Sequence, residues 1–172
     1  AMEFVDGRSL ASEVENFANL PWDRSVHVAL QIAESLADAH ASGIVHRDLK
    51  PDNVMLLSRA GSTDFVKILD FGIAKIADVG DDQRAALTRT GMIFGTPQYM
   101  SPEQIRASGV DHRTDIYALG VILYQLLVGE LPFHADNPMG MLTKHLMEPP
   151  RPMQSVKPTL DCPPELDQLV MR

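Results

Sequence analysis

The feature of this sequence that most constrains its fold is an apolar run at residues 118–128, ALGVILYQLLV, interrupted only by one glycine and one glutamine. The run falls short of the roughly 20 residues that a membrane-spanning helix needs, so it predicts a helix buried in a protein core. Thr114 and Asp115 are the predicted capping residues at its start, and Gly129 is the predicted stop. We therefore expect the rest of the chain to pack around this helix.

The overall composition is that of an ordinary globular domain. The 172 residues are 45% hydrophobic and 22% charged, which suits one domain with a sizeable core. A formal net charge of -8 argues against a nucleic-acid partner, because phosphate backbones are bound by clustered Lys and Arg. The single cysteine, Cys162, excludes a disulfide within the chain and favours a reducing, cytoplasmic setting. We expect no signal peptide and no membrane segment in this part of the protein, so that any membrane anchor would lie elsewhere.

Short-range patterns predict several helices and one hairpin. Between residues 72 and 100 there is no sustained periodicity, and a segment of that length inside a compact domain indicates a functional loop. Together the elements predict a mainly α fold with small β hairpins. They are helices near 10–17, over 23–41, over 138–147 and from Glu165, and strands at 54–57 and 66–69 around a turn at 60–62.

The helix over residues 23–41 is predicted to be mostly buried, because its apolar residues recur at steps of three and four. Asp23 is the expected N-cap, and Ser42-Gly43 is the expected stop, with glycine in the left-handed conformation. The predicted buried stripe consists of Val26, Leu30, Ala33 and Ala37, widened by Val28, Ile32 and Leu36.

A charged octet, HRDLKPDN, lies at residues 46–53 between this helix and the hairpin. Asp48 and Asn53 fall in the octet, and Asp70 ends the second strand, so two carboxylates and one amide oxygen are expected to meet. Such oxygen ligands suit Mg²⁺. With Asp48 accepting a proton from an attacking hydroxyl and Lys50 offsetting charge on the transferred group, the pattern predicts a phosphoryl-transfer site.

Four motifs, in this order along the chain, resemble those of the protein kinases, and in particular the bacterial Ser/Thr kinases that are similar to eukaryotic ones. The resemblance covers the chain from residue 2 to its end. It implies the large (C-terminal) lobe of a kinase that transfers the γ-phosphoryl group of ATP to Ser or Thr of protein substrates. The motifs are HRDLKPDN, similar to the catalytic loop; DFG at 70–72, similar to the metal-binding motif; GTPQYMSPEQ at 95–104, similar to the end of the activation loop; and DIYALG at 115–120, similar to the start of the central helix.

The resemblance implies a role for each matching residue. Asp48 matches the catalytic base. Lys50 matches the pattern of Ser/Thr kinases, and Thr96 matches the threonine that hydrogen-bonds this pair of Asp48 and Lys50. Asn53 and Asp70 match the ligands of Mg²⁺ or Mn²⁺. Nucleotide-binding roles are implied for Asn53, Asp70, Glu3 through its carbonyl, Val5 through its amide and Met55 beneath the adenine ring.

Further matches imply structural and regulatory roles. His46 and Phe71 match members of a buried stack, and Asp115 matches a residue that braces the backbone of the catalytic loop. Thr88 and Thr90 lie in LTRTGMIFGT, which is similar to the phosphorylated stretch of bacterial kinases. A phosphate there, carrying about -1.5 to -2 charge, would pair with Arg47 and order the loop.

The resemblance also implies that the chain lacks the small lobe. No G-x-G occurs in the sequence, MEFVDG at residues 2–7 resembles the hinge between the lobes, and PPELDQLVMR at the other end resembles the beginning of a late helix. We therefore expect residues 1–172 to be a large lobe truncated at both ends and inactive by itself. Exposed apolar groups near Val5, Met55 and Phe71 are expected to promote self-association or exchange of the 73–100 segment.

Two other functions remain open at this point. A catalytically incompetent kinase-like binding or scaffold module would be expected to have lost Asp48, Asn53 or Asp70, and the sequence contains all three. A small-molecule phosphotransferase shares an H-x-D-x-x-x-x-N-like loop, but would not be expected to combine Lys50 with the GTPQYMSPEQ and DIYALG motifs.

Overall fold

The computed structural model describes residues 5–16, 19–59, 62–71 and 96–172. Within these ranges the chain is mainly helical and contains one small antiparallel sheet, which confirms the predicted fold class. None of the described helices combines the length and the apolar character that crossing a membrane would require. The helices are α1 (Leu10–Asn16), α2 (Trp22–Ala41), α3 (Pro102–Ile105), α4 (Arg113–Val128), α5 (Pro138–Met147), α6 (Met153–Val156) and α7 (Pro164–Val170), and the strands are β1 (Arg8–Ser9), β2 (Val54–Arg59) and β3 (Ser62–Ile68).

Helix α4 is the predicted core helix, and it is buried on almost every side. Ala118, Ile122 and Leu126 face one apolar cluster, built with α2 and the sheet. Leu123 and Leu127 face a second cluster, built with α6 and α7. A helix between two clusters needs apolar residues all round, which is why its sequence is a nearly continuous apolar run. The predicted stop is confirmed: Gly129 adopts φ 90° and its N–H donates to the carbonyl of Gln125 at 2.8 Å.

The predicted capping residues of α4 are wrong. The helix begins at Arg113 after His112, so Thr114 and Asp115 lie inside its first turn, where both are buried. Their side chains bond to other segments: the Thr114 hydroxyl contacts that of Ser101, and the Asp115 carboxylate accepts hydrogen bonds from the octet. The side chains of Thr114 and Asp115, which the sequence pattern predicted to cap the helix, therefore make tertiary hydrogen bonds instead.

Helix α2 differs from its prediction in its start and in its buried face. It begins at Trp22, and Asp23 accepts a hydrogen bond from the next N–H instead of capping the helix. Val28, Ile32 and Leu36 are fully buried, whereas Leu30 is 57% exposed. The helix is thus only half buried, because it lies against α4 and β3 on one side. The predicted stop is confirmed: Ser42 follows the last turn, and Gly43 has φ 74°.

The sheet has the order β1-β2-β3, with both pairs antiparallel. The β2–β3 hairpin confirms the prediction, although β3 begins earlier and ends one residue sooner than expected; β1 is too short to have been found by its pattern. Alternate residues face the core, as a pleated strand requires; they are Val54, Leu56, Val66 and Ile68. The octet runs through a 3-10 turn, Pro51–Asn53, directly into β2.

The remaining helices lie where short-range signals are clearest. Helix α5 has the predicted bounds, and the Asn137 side chain caps it by accepting a hydrogen bond from the Gly140 N–H at 2.8 Å. Helix α7 begins at Pro164, one residue before the predicted start. Helices α3 and α6, of one turn each, were not predicted.

A network of four charges ties α2 to α1 and the sheet. The Arg24 guanidinium donates two hydrogen bonds to Asp64, both at 2.8 Å, and one to Glu13 at 2.7 Å. Arg8 contacts the same two carboxylates. The hydrogen bonds from Arg24 hold the pKa of Asp64 below its ordinary value, against the opposite effect of burial. Both carboxylates are largely buried. Loss of Arg24 would therefore leave two buried charges without their main partner, which is destabilising.

We expect Arg24→Leu to lower the free energy of unfolding by about 2 kcal/mol, because two buried carboxylates lose their bidentate partner while Arg8 still offsets part of their charge. Urea unfolding of the purified chain measures this value. Arg113→Leu is the matched control, since Arg113 also neighbours one carboxylate but is 80% exposed, and it should cost less than about 0.5 kcal/mol. Equal losses in the two variants would contradict a stabilising role for the network.

Candidate functional site

The octet follows α2, and the buried carboxylate of Asp115 braces its backbone. Asp115 is 0% exposed, and its two oxygens accept the N–H groups of His46 and Arg47, each at 2.8 Å. A third hydrogen bond comes from His40 Nε2, also at 2.8 Å. Arg47 has φ 65°, a conformation that non-glycine residues seldom adopt and that persists only where the surroundings hold it. The hydrogen bond from the Arg47 N–H to the Asp115 carboxylate helps to maintain this conformation.

The His46 side chain connects the octet to the end of β3. The ring is fully buried. Its Nε2 lies 3.0 Å from the Leu69 carbonyl, and its Nδ1 accepts the Asp48 N–H at 3.3 Å. A carbonyl facing Nε2 and an N–H facing Nδ1 together select the neutral tautomer protonated at Nε2. The Phe71 ring lies 5.0 Å away, centroid to centroid, as the predicted stack requires.

Backbone contacts bring Asn53 and Asp70 into the same neighbourhood. The Leu69 N–H donates to the Asn53 carbonyl at 2.8 Å, so Asp70 follows a residue that is bonded to Asn53. The Asn53 amide donates through Nδ2 to the Asp48 carbonyl at 2.9 Å, which leaves Oδ1 as its acceptor atom. Asp70 is exposed and has φ 51°, another unusual conformation next to the octet. Thus the backbones of the three predicted oxygen donors are joined.

This donor set fits a hard divalent cation. An amide oxygen and carboxylates on a loop are ligands that Mg²⁺ accepts, usually with water and phosphate oxygens completing its shell. Across the described ranges there is no group of three or more His, Cys, Asp or Glu side chains that could hold a metal by itself.

Lys50 and Thr96 lie together on another side of the octet. Lys50 Nζ donates to Thr96 Oγ1 at 3.0 Å, which joins the octet to the segment at 96–100. That segment is anchored in turn to α4, because the Tyr99 hydroxyl donates to Gln125 Oε1 at 2.7 Å. Burial raises the pKa of Tyr99, so its hydroxyl remains a donor at neutral pH. Sequence reasoning missed this second anchor.

One guanidinium nitrogen of Arg47 has no partner among the residues that the structure describes. Within the described residues, Arg47 Nε is buried and has no hydrogen-bond partner. Such an unpaired donor on a cation is suited to an anion. Thr88 and Thr90, the predicted phosphorylation sites, and Glu3, the predicted hinge contact, lie outside the described residues. Val5 and Met55 are half-buried.

A buried histidine supports the segment at 96–100 from α5. His145 is 5% exposed, and its Nδ1 accepts the Tyr117 hydroxyl at 2.6 Å. Its Nε2 lies near the backbone of Pro97 and Gln98 but makes no hydrogen bond within the described chain. Burial lowers the pKa of His145 to about 4 and raises the pKa of Tyr117 to about 12. The signal that could have indicated a buried position is its i+4 spacing from Met141, which is also buried.

Comparison with known families gives this geometry its context. A family model described as the protein kinase domain matches residues 1–170. The chain belongs to the protein kinase family.

Several curated relatives that this chain is similar to are named as bacterial Ser/Thr kinases. Serine/threonine-protein kinase pkn3 of Myxococcus xanthus is 49% identical over 172 residues, which are 100% of this chain and 31% of the relative. Pkn1 of the same organism is 48% identical over 99% of the chain and 24% of its own length. PknB of Mycobacterium tuberculosis is 39% identical over 99% of the chain and 26% of its own length. The chain therefore spans about a quarter to a third of these relatives.

The pKa of His145 predicts a pH dependence of stability. The folded-state pKa of about 4 lies below the ordinary value of 6.5, so the unfolded chain binds the proton first as the pH falls. Stability from this residue is complete above 6.5 and is lost as the pH falls towards 4. We expect His145→Asn, which keeps an acceptor for Tyr117, to lose about 2 kcal/mol less than the wild type between about pH 7 and pH 5.

Urea unfolding at several pH values measures this difference. Thr143→Ala is the matched control, because Thr143 is exposed on the same helix and its side chain does not titrate, so the pH profile should stay unchanged. A parallel profile for the wild type and His145→Asn would contradict the assignment.

Proposed function

We propose that this chain is the catalytic part of a Ser/Thr protein kinase that transfers the γ-phosphoryl group of ATP to Ser or Thr of protein substrates. The observation that carries the proposal is the joining of the octet to the end of β3. His46 contacts Leu69 at 3.0 Å, and Leu69 contacts Asn53 at 2.8 Å. A phosphoryl-transfer site needs a proton acceptor and metal-binding oxygens side by side, and these contacts support that arrangement for Asp48, Asn53 and Asp70.

Each residue has a task in this proposal. Asp48 orients the acceptor hydroxyl and takes its proton, on a backbone fixed through the His46 ring. Lys50, tied to Thr96 at 3.0 Å, offsets negative charge on the transferred phosphoryl group. Asn53 and Asp70 would hold Mg²⁺ or Mn²⁺, which would supply positive charge to offset that of the phosphates.

The nucleotide is proposed to lie beside Val5 and Met55. Met55 is half-buried on β2, and its register partner in β1 is Ser9. A flexible thioether at this place suits contact with an adenine ring, and the Val5 amide and the Glu3 carbonyl are proposed to bond with the edge of the ring. We further propose that residues 1–172 correspond to the large lobe, so that the chain alone has negligible activity.

The decisive experiment measures transfer of the γ-phosphoryl group to a Ser/Thr protein substrate. We expect the complete gene product that contains this chain to be active with ATP and Mg²⁺ and to lose activity when the metal is chelated. Asp48→Asn should lower kcat by about a thousandfold, because the proton acceptor is lost. The 172-residue chain alone should give no turnover. Asp111→Asn, which changes an exposed aspartate, should retain the wild-type rate.

An Asp48→Asn variant with the wild-type kcat would refute the catalytic assignment. Robust turnover by the 172-residue chain would refute the large-lobe proposal while leaving the kinase proposal intact.

We also propose regulation through Arg47. Its buried Nε has no partner within the described chain, and a phosphate on Thr88 or Thr90 would supply one, with charge-assisted hydrogen bonds. Self-association or exchange of the 73–100 segment stays a prediction; Val5, Met55 and Phe71, on which it rests, are half-buried.

For regulation, we expect mass spectrometry of the active gene product to find phosphate on Thr88 or Thr90. Phosphatase treatment should lower kcat by about tenfold or more, since an ordering contact is removed. Arg47→Gln should abolish the difference between treated and untreated enzyme. Thr143→Ala, at an exposed threonine of α5, should leave that difference unchanged. If Arg47→Gln retained the full response, the phosphate would have another partner.

A further inference from the structure

The peptide group that joins Arg47 to Asp48 is held at both edges. At one edge the Asp48 N–H donates to His46 Nδ1 at 3.3 Å. At the other edge the Arg47 carbonyl accepts a hydrogen bond from Gln104 Nε2 at 2.7 Å. Because this carbonyl and this N–H belong to one rigid plane, Gln104 controls the orientation of the backbone immediately before the Asp48 side chain.

The amide of Gln104 is itself fixed, because both of its ends are used. Its Oε1 accepts the Ser101 N–H at 3.1 Å, and its own backbone N–H donates to Ser101 Oγ at 3.4 Å, which together form a capping box at the start of α3. The amide cannot rotate without losing one of the two side-chain bonds. Gln104 is therefore a rigid link from α3 to the octet.

Ser101 extends this link to α4 and closes it into a ring. The Ser101 and Thr114 hydroxyls lie 2.5 Å apart, and both residues are almost completely buried. Thr114 precedes Asp115, whose carboxylate holds the Arg47 N–H at 2.8 Å. The ring thus passes from Arg47 through Gln104, Ser101 and Thr114 to Asp115 and back to Arg47. It borders a cavity of about 10 Å³, which holds no more than about one water molecule.

We propose that Gln104 is a positioning residue for catalysis: its amide N–H fixes the Arg47–Asp48 peptide plane and so makes the position of Asp48 depend on the folding of α3. Asp115 holds the N–H of Arg47, but it does not contact the carbonyl of that residue. Loss of Gln104 would remove the shorter of the two hydrogen bonds described for this peptide group, 2.7 Å against 3.3 Å for the bond to His46. The unusual backbone conformation of Arg47, at φ 65°, would then be less restrained.

Two substitutions at one position separate this role from simple capping of α3. Gln104→Glu keeps an acceptor for the Ser101 N–H but removes the donor to Arg47. Gln104→Lys keeps a donor but removes the acceptor. If Gln104 positions the octet, the glutamate variant should be the more damaging at Asp48. If Gln104 only caps α3, the lysine variant should be the more damaging.

The readout is the hydrogen-exchange rate of the Asp48 amide, measured by NMR on the 172-residue chain. We expect Gln104→Glu to raise this rate about tenfold, the effect of losing one hydrogen bond to the same peptide plane. Amides within α2 and α4 should keep their wild-type rates. Gln154→Glu is the matched control, because Gln154 Nε2 also donates to a backbone carbonyl, that of Leu160, but at an exposed site far along the chain. It should leave the Asp48 rate unchanged.

Two results would overturn the proposal. One is an Asp48 exchange rate in Gln104→Glu equal to that of the wild type or lower than that of Gln104→Lys. The other is a uniform rise at all amides, which would indicate a purely structural role. The catalytic part of the inference rests on the proposed kinase function. In the complete gene product, Gln104→Glu should lower kcat about tenfold with little change in the KM for ATP. If the wild-type gene product transferred no phosphate, the kinase proposal would fail, and the exchange data would still decide what Gln104 holds.

Discussion

The structure of the site depends on one buried carboxylate. Asp115 lies at the start of the central helix and accepts two backbone N–H groups of the octet and one histidine N–H. A buried charge is tolerated only where hydrogen bonds replace its hydration, and these three donors do so. The same hydrogen bonds help the Asp115 carboxylate to maintain the backbone of Arg47 in a conformation that an arginine seldom adopts. A carboxylate of the buried central helix therefore links the core directly to the left-handed backbone at Arg47.

The sequence predicts a helix or strand well where residues within that element determine its burial and its ends. The run at 118–128 predicts α4 because its burial needs apolar residues on every side, and Gly129 ends the helix by its own conformational freedom. Helix α5 was predicted with its observed bounds, and in the structure Asn137 caps it and Pro138 is its first residue. The motif resemblance added the octet, whose members lie together in space as well as in the chain.

The features that sequence reasoning missed are contacts between distant residues. Gln104 and Arg47 are separated by 57 positions, and His145 and Tyr117 by 28. No local periodicity encodes such a pairing. The predicted stripe of α2 was too wide, because two apolar stripes compete on that helix. Packing against α4 and β3 buries the stripe of Val28, Ile32 and Leu36, as predicted, and leaves Leu30 exposed. The predicted caps at Asp23 and Asp115 were wrong because both carboxylates accept other hydrogen bonds. Asp23 accepts the N–H of the next residue, and Asp115 accepts the N–H of Arg47.

The position of α4 between two apolar clusters has a consequence for how the molecule comes apart. Each cluster shares this helix as a wall, so neither can dissolve without exposing apolar surface of the other. Separate melting of the two halves is therefore disfavoured, and the chain should lose its structure in one cooperative step. Because the same helix carries Asp115, the octet should keep its geometry for as long as the core is folded. The structure therefore gives no basis for an intermediate in which the core is partly unfolded and the octet is intact.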